Sequence, residues 1–167
     1  EGSLLDLRVC FTPTVLGEMV AARLLTQGGG ELMTLDQLDY APDDRERLWR
    51  ALGQPQGMVI VTGPAGSGRS TTLYACLLHL RDPLRKIVTV EDPVECLVAG
   101  TCQIQVDSRT PLTFAETVRS ALRCDPDVVL GGEIRDLATL QACVQAALTG
   151  RLVLTTLATE SAAAAPQ

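Results

Sequence analysis

The sequence predicts an α/β fold built on a mainly parallel sheet, and three observations lead to this prediction. From residue 58 onward, short apolar runs alternate with segments of helical character. Several of these runs are apolar at every position, which is typical of parallel strands buried on both faces. The first run passes through a glycine-rich turn into a helix. With 167 residues, 46% of them hydrophobic, the chain has enough apolar residues for one globular core.

The first elements precede this regular pattern. Residues 4–11 are predicted to form a strand, and residues 14–26 a short element rich in Val, Leu and Ala. Three consecutive glycines at 28–30 give the backbone great freedom and predict a linker or hinge. A helix is expected to start around Pro42, with acidic residues at the positive end of its dipole, and to end at Gly53. We expect a second domain to begin here.

The later elements alternate between strand and helix. Thr113 and Glu116 have the spacing of a capping box and start one helix, and Gly150 is placed to end another in the left-handed conformation. In chain order, the expected elements are a strand over residues 58–62, a helix over 70–80, a strand over 86–90, an alternating segment over 102–106, a helix from 113 to about 123, a strand over 127–130, a helix over 137–148 and a strand over 152–156.

Residues 63–70 read GPAGSGRS and match the phosphate-binding pattern G-x-x-x-x-G-K-[ST] at every fixed position except one. The turn follows a strand and opens a helix, so its amides and the helix N-terminus are expected to converge on an anion. Ser70 would offer its hydroxyl to Mg²⁺. The alternative is a glycine-rich turn that binds no ligand. The expected nucleotide contacts are Gly63, Pro64, Ala65, Gly66, Ser67, Gly68, Arg69, Ser70 and Thr71.

Arg69 stands where the pattern has lysine. An ammonium group is a compact charge, whereas a guanidinium is larger, planar and inclined to bidentate phosphate contacts. The exchange keeps the charge and is therefore compatible with nucleotide binding. It alters the placement of that charge, on which a transition state depends. Hydrolysis and binding without hydrolysis both stay open at this point.

Acidic residues follow two of the expected strands. Glu91, Asp92 and Glu95 come at the end of one strand, and Glu133 follows the strand over residues 127–130. The carboxyl ends of parallel strands form the ligand-binding edge of an open sheet. Glu91 and Glu133 are therefore expected to face Mg²⁺ and an attacking water. Solvated loop acids are the alternative, and Asp136 is placed to cap the next helix.

Charge and cysteine usage exclude several classes of function. Fourteen Lys and Arg against twenty Asp and Glu give a net charge of −6, which argues against a broad nucleic-acid surface. The six cysteines are scattered and lack the spacing of a zinc or redox motif, so we expect free thiols in a reducing compartment. His79 is the only histidine, and we expect no catalytic Cys–His pair there. No targeting or membrane-spanning segment is found, and a cytoplasmic protein is expected.

Four segments together resemble the hexameric ATPases of bacterial type II secretion and type IV pilus assembly. Residues 63–71 resemble the Walker A motif of that family, residues 89–95 its aspartate box, residues 125–136 its Walker B motif and residues 149–157 its histidine box. The resemblance covers nearly the whole chain. The opening residues resemble the end of the family's second N-terminal domain.

The resemblance implies a RecA-like P-loop core, bound ATP and Mg²⁺, and Glu91, Glu133, Arg8 and Arg23 as catalytic residues, the two arginines acting as arginine fingers. It implies an N-terminal partner domain ending at residue 27, a hinge over residues 28–42 and an ATPase core over residues 43–167. It also implies a homo-oligomer, a hexamer in the full-length form, bound to platform proteins at the inner membrane, with no nucleic-acid partner.

The chain departs from the family pattern in the histidine box. Arg151 and Ala158 replace histidines that would sense the γ-phosphate, and Glu160 replaces an asparagine. We expect the last strands and C-terminal helices of the family core to be missing. Two functions remain: a motor that couples ATP hydrolysis to domain rotation, and a non-hydrolysing pseudo-ATPase. A DNA-handling motor is a third, and the acidic balance counts against it.

Overall fold

The computed structural model describes residues 6–25, 32–107 and 111–159, and these residues form two units. The first contains an antiparallel hairpin of β1 (Asp6–Thr14) and β2 (Gly17–Leu25). The strand expected over residues 4–11 corresponds to β1, which extends further, to Thr14. The apolar element expected over residues 14–26 corresponds to β2, the hairpin partner of β1. The triglycine at 28–30 lies outside the described residues.

The second unit is built on a five-stranded sheet in which every pairing is parallel. The strand order is β3-β7-β6-β4-β5. The predicted mainly parallel sheet is thus confirmed. Because all five strands run the same way, their ends define a carboxyl edge and an amino edge of the sheet. The strands are β3 (Gly57–Gly63), β4 (Ile87–Glu91), β5 (Cys102–Gln105), β6 (Val128–Glu133) and β7 (Leu152–Ala158).

In the described ranges, four α-helices connect these strands or precede them, close to the expected positions. A short 3-10 helix (Leu35–Gln37) comes before the first of them. Among the described residues, none of the helices combines the length and the apolar character that crossing a membrane requires. The helices are α1 (Pro42–Leu52), α2 (Arg69–Leu80), α3 (Phe114–Leu122) and α4 (Leu137–Leu148).

The sheet is covered on both faces, and β4 shows how. All five residues of β4 are buried. Val88 and Val90 pack in one apolar cluster with Val118 of α3 and Ala142 of α4. Successive side chains of a strand point to opposite faces, so Glu91 points away from that cluster, and it is bonded to α2. Helices α3 and α4 therefore cover one face of β4, and α2 covers the other.

The six cysteines are thiols that form no disulfide, as expected. Burial raises the pKa of the Cys76 thiol to about 12 and that of Cys143 to about 11, so both act as apolar packing groups at neutral pH. His79 stacks on Trp49 of α1, with ring centroids 5.9 Å apart. The histidine is thus part of a packing contact between α1 and α2.

The capping box of α3 gives a small and specific stability prediction. Thr113 Oγ1 accepts from the Glu116 amide at 3.2 Å, and the Thr113 amide donates to Glu116 Oε2 at 2.8 Å. Thr113→Ala is expected to lower the free energy of unfolding by about 1 kcal/mol, because the Glu116 amide loses its acceptor. Thr113→Ser keeps the hydroxyl and should unfold at the same urea midpoint as the wild type. Equal midpoints for the serine and alanine variants would contradict the capping role.

Candidate functional site

The glycine-rich turn joins the carboxyl end of β3 to the start of α2. Gly66 and Gly68 have φ angles of 77° and 92°, the left-handed conformation that residues with a Cβ rarely adopt. Gly68 is the N-cap residue of α2, and no side chain caps this helix. The positive end of the α2 dipole therefore lies at this turn, an arrangement that suits an anion.

Gly63 keeps the turn closed at its other end. A Cβ added at Gly63 would collide with Ser67 Oγ and lie 3.3 Å from Ser67 Cβ. Residues 64–68 are exposed, and Thr71 of α2 is exposed beside them. The predicted nucleotide contacts of residues 63–71 thus form one continuous turn and first helical turn at the carboxyl edge of the sheet. We name residues 63–70 the phosphate loop.

Arg69 of the phosphate loop forms an ion pair with Glu133. Arg69 Nη1 donates to Glu133 Oε1 at 2.7 Å, and the two side chains are 17% and 27% exposed. The partners are 64 residues apart in the chain and meet because α2 and β6 both reach the carboxyl edge. Arg69 stands where the phosphate-binding pattern has lysine. It thus contacts Glu133, the acid that the sequence predicts to face the attacking water.

A second arginine holds the other oxygen of the same carboxylate. Arg135 Nε donates to Glu133 Oε2 at 2.9 Å, and Arg135 Nη1 donates to Asp92 Oδ2 at 3.1 Å. We name Arg69, Glu133, Arg135 and Asp92 the acid–arginine network. The Arg135 bond, more than the Arg69 bond, lowers the pKa of Glu133 from its ordinary value against the partial burial that raises it. Glu133 is therefore ionised at neutral pH.

Glu91 is buried, and its carboxylate accepts hydrogen bonds from three side chains in the described part of the chain. Tyr74 of α2 donates its hydroxyl to Glu91 Oε2 at 2.5 Å. Thr89 Oγ1 and Gln103 Nε2 donate to Glu91 Oε1 at 2.5 Å and 3.1 Å. Both carboxylate oxygens are thus engaged with α2, β4 and β5. The sequence predicted the place of Glu91 at the strand end but none of these partners.

An open cavity of about 220 Å³ adjoins the acid–arginine network. Its walls come from the ends of β4 and β6 and the first turns of α3 and α4. Asp136 caps α4 by accepting from the Thr139 amide at 2.7 Å, as predicted. Six residues line this cavity: Asp92, Phe114, Glu133, Arg135, Asp136 and Thr139.

Arg8 and Arg23 lie in the hairpin. They are directly paired across β1 and β2, which puts both residues at one level of the hairpin. The hairpin belongs to a compact unit that is distinct from the one containing the five-stranded sheet. The arginine-finger assignment therefore remains a prediction.

The histidine-box positions fall at opposite edges of the sheet. Arg151 precedes β7 and donates to Asp125 Oδ1 at 2.9 Å and to the Thr149 carbonyl at 2.7 Å, all at the amino edge. The seven residues of β7 separate it from the phosphate loop by roughly 20 Å at about 3.3 Å per residue. In this chain, position 151 therefore lies at the edge of the sheet opposite the phosphate loop. Ala158, in register with Gly63, does lie at the carboxyl edge, and Glu160 lies outside the described residues.

The donor set near the phosphate loop fits a magnesium ion that is shared with phosphate. Within the described ranges, no group of three or more His, Cys, Asp or Glu residues is arranged to hold a metal by itself. Mg²⁺ is commonly held by one or two protein oxygens together with phosphate oxygens and waters. The hydroxyl of Ser70, at the start of α2 beside the loop, is such an oxygen.

The architecture agrees with that of known proteins. A family model described as Type II/IV secretion system protein matches residues 1–167. The chain belongs to this family. The resemblance to secretion ATPases is confirmed, and so is the predicted fold class: a RecA-like α/β core preceded by a small antiparallel piece of a second domain.

Members of this family are similar to the chain in sequence and in structure. Type II secretion system protein HxcR of Pseudomonas aeruginosa is 50% identical over 164 residues, 98% of this chain and 35% of that protein. The ATPase DotB of Legionella pneumophila superimposes with a TM-score of 0.78 at 29% identity, over 95% of this chain and 44% of that one. The pilus retraction motor PilT, solved with bound ADP, gives 0.74 at 31% identity, over 92% and 48%. The chain thus spans about a third of the length of curated relatives such as HxcR.

Proposed function

We propose that the chain is the ATP-binding motor part of a bacterial type II secretion or type IV pilus assembly ATPase, which couples hydrolysis to domain rotation. The observation that carries the proposal is the phosphate loop, in which the left-handed Gly66 and Gly68 lead into an α2 N-terminus that no side chain caps. Arg69 and the ionised Glu133 lie at the same point of the carboxyl edge. Relatives that are named ATPases or contain ADP support the assignment.

Each group of the site has a distinct role in this proposal. The amides of the phosphate loop and the N-terminus of α2 bind the phosphates, and Arg69 neutralises their charge. Glu133 orients the attacking water, because its ionised carboxylate is an acceptor only. Glu91 fixes α2 against β4 through Tyr74. Mg²⁺, held by Ser70 and by phosphate oxygens, would supply further neutralisation of charge on the phosphates.

The larger assembly is part of the same proposal. Residues 1–27 would belong to the N-terminal partner domain, residues 28–42 would act as the hinge, and residues 43–167 would form the ATPase core. Arg8 and Arg23 would close onto the nucleotide from across a domain or subunit boundary as arginine fingers. The protein would work as a hexamer at the cytoplasmic face of the inner membrane, on platform proteins of a secretion or pilus system.

A non-hydrolysing pseudo-ATPase is the second candidate, and two observations favour it. Arg69, the exchanged Walker A residue, is engaged with Glu133, which would otherwise be available to water. Ala158 has no imidazole to offer at the carboxyl edge, where it pairs with Gly63. The replaced histidine at Arg151 does not count toward this candidate, because that position lies at the amino edge.

Calorimetric titration tests the nucleotide site directly. ADP is expected to bind the chain more tightly with Mg²⁺ than without it. Ser70→Ala should abolish this difference while leaving the Mg²⁺-free affinity unchanged, because only the hydroxyl is lost. Ser120→Ala on α3 is the matched control and should behave as the wild type. A wild-type chain that does not bind ADP would overturn the proposed function. An equal Mg²⁺ effect in the wild type and Ser70→Ala would overturn the role of Ser70.

A further inference from the structure

Glu133 is held by two arginines that come from different parts of the fold. Arg69 at the start of α2 contacts Oε1, and Arg135, two residues beyond Glu133, contacts Oε2. In the described part of the chain, these two guanidinium groups are the only charged partners of this carboxylate. The orientation of the Glu133 carboxylate is therefore set by both arginines in this structure.

Nucleotide binding would change the balance between the two contacts. Arg69 belongs to the phosphate loop, so the negative charge of bound phosphates competes with Glu133 for its guanidinium. Arg135 lies outside the loop, beyond the end of β6. If Arg69 turned toward the phosphates, the Arg135 bond to Oε2 would remain.

Arg135 has an anchor of its own that does not depend on Glu133. Its Nη1 donates to Asp92, which directly follows β4, at 3.1 Å. The side chain thus bridges the carboxyl ends of two neighbouring strands. It is 61% exposed and Asp92 is 39% exposed, and ion pairs this open to solvent contribute little to stability. Their arrangement therefore bears on the placement of Glu133 more than on folding.

We infer that Arg135 is a positioning residue, which holds Glu133 at the attacking water after Arg69 has turned to the nucleotide. The inference rests on the proposed function and deepens it. It assigns to Arg135 an effect on turnover that is separate from nucleotide binding. A fixed carboxylate keeps the water in position for attack on the phosphate, whereas a carboxylate that is free to rotate loses that geometry.

Steady-state phosphate release by Arg135→Gln tests this inference. Its kcat is expected to fall about tenfold, with KM for ATP, the dissociation constant of ADP and the melting temperature close to wild-type values. Arg135→Lys should recover part of the loss, because one ammonium group contacts Glu133 or Asp92 but does not reproduce the two-sided contact. Arg50→Gln is the matched control, since Arg50 pairs only with Glu46 on the exposed face of α1 in the described structure, and it should keep the wild-type rate.

The outcomes separate this inference from the proposed function. An active wild type with an equally active Arg135→Gln variant would overturn the inference alone. A fall in kcat matched by an equal loss of ADP affinity or of melting temperature would show a binding or structural role and would also overturn it. A wild type that binds ADP but releases no phosphate would overturn hydrolysis in the proposed function, and the inference with it.

Discussion

Glu133→Gln is expected to slow phosphate release by about a hundredfold or more, while ADP binds at least as tightly as to the wild type. Glutamine keeps the size of the side chain but replaces one acceptor oxygen by a donor amide. The water loses its anionic partner, which affects turnover. Arg69, which donates to this carboxylate at 2.7 Å, is released for the phosphates, which favours binding. Phosphate release and calorimetric ADP titration on the same preparation measure both effects.

The matched control for this change is Glu46→Gln. Glu46 also pairs with an arginine, Arg50, at 3.1 Å, but on the exposed face of α1. It should alter neither rate nor affinity. If Glu133→Gln released phosphate at the wild-type rate, Glu133 would have no role in orienting water. If instead it bound ADP more weakly, the ion pair with Arg69 would not compete with the nucleotide.

Secondary structure and fold class could be predicted because their signals are local. Each of these signals acts within a few residues: the capping pair Thr113 and Glu116, the helix end at Gly53 and the apolar runs. The observed elements therefore start and end near the expected positions. The strand order could not be obtained in the same way. β7 is the last of the described strands but lies between β3 and β6, and this insertion depends on long-range packing that no local pattern encodes.

In the candidate site too, local features could be predicted from the sequence, whereas long-range contacts could not. The phosphate loop is continuous in sequence, so its pattern could be recognised from residues 63–70 alone. The pairing of Arg69 with Glu133 and that of Tyr74 with Glu91 join distant segments, and they follow only from how α2 lies on the sheet. The place of Arg151 at the amino edge could be predicted from the sequence, because this residue precedes a strand, whereas ligand-binding residues of a parallel sheet follow the strand ends.

The two candidate functions are separated by Arg69→Lys together with Arg69→Ala. Arg69→Ala is expected to weaken ADP binding by about tenfold to a hundredfold, since a charge-assisted contact of about 1.5–3 kcal/mol to the phosphates is lost. Arg69→Lys should keep ADP affinity within about threefold because it preserves the charge. In a working ATPase it should also raise the phosphate-release rate severalfold, because a compact ammonium fits between phosphates and leaves Glu133 to the water.

Arg69→Lys decides between the hydrolytic motor and the pseudo-ATPase because the described site departs from the family pattern at few other positions of the carboxyl edge. Arg151 is bonded to Asp125 at the amino edge, so only Arg69 and Ala158 separate the described site from the family pattern. Arg50→Lys on α1 makes the same exchange away from the site and should change neither rate nor affinity. If the wild type and Arg69→Lys both bind ADP and neither releases phosphate, the hydrolytic motor is excluded. The chain would then act as a nucleotide-binding subunit whose Arg69–Glu133 ion pair serves structure rather than turnover.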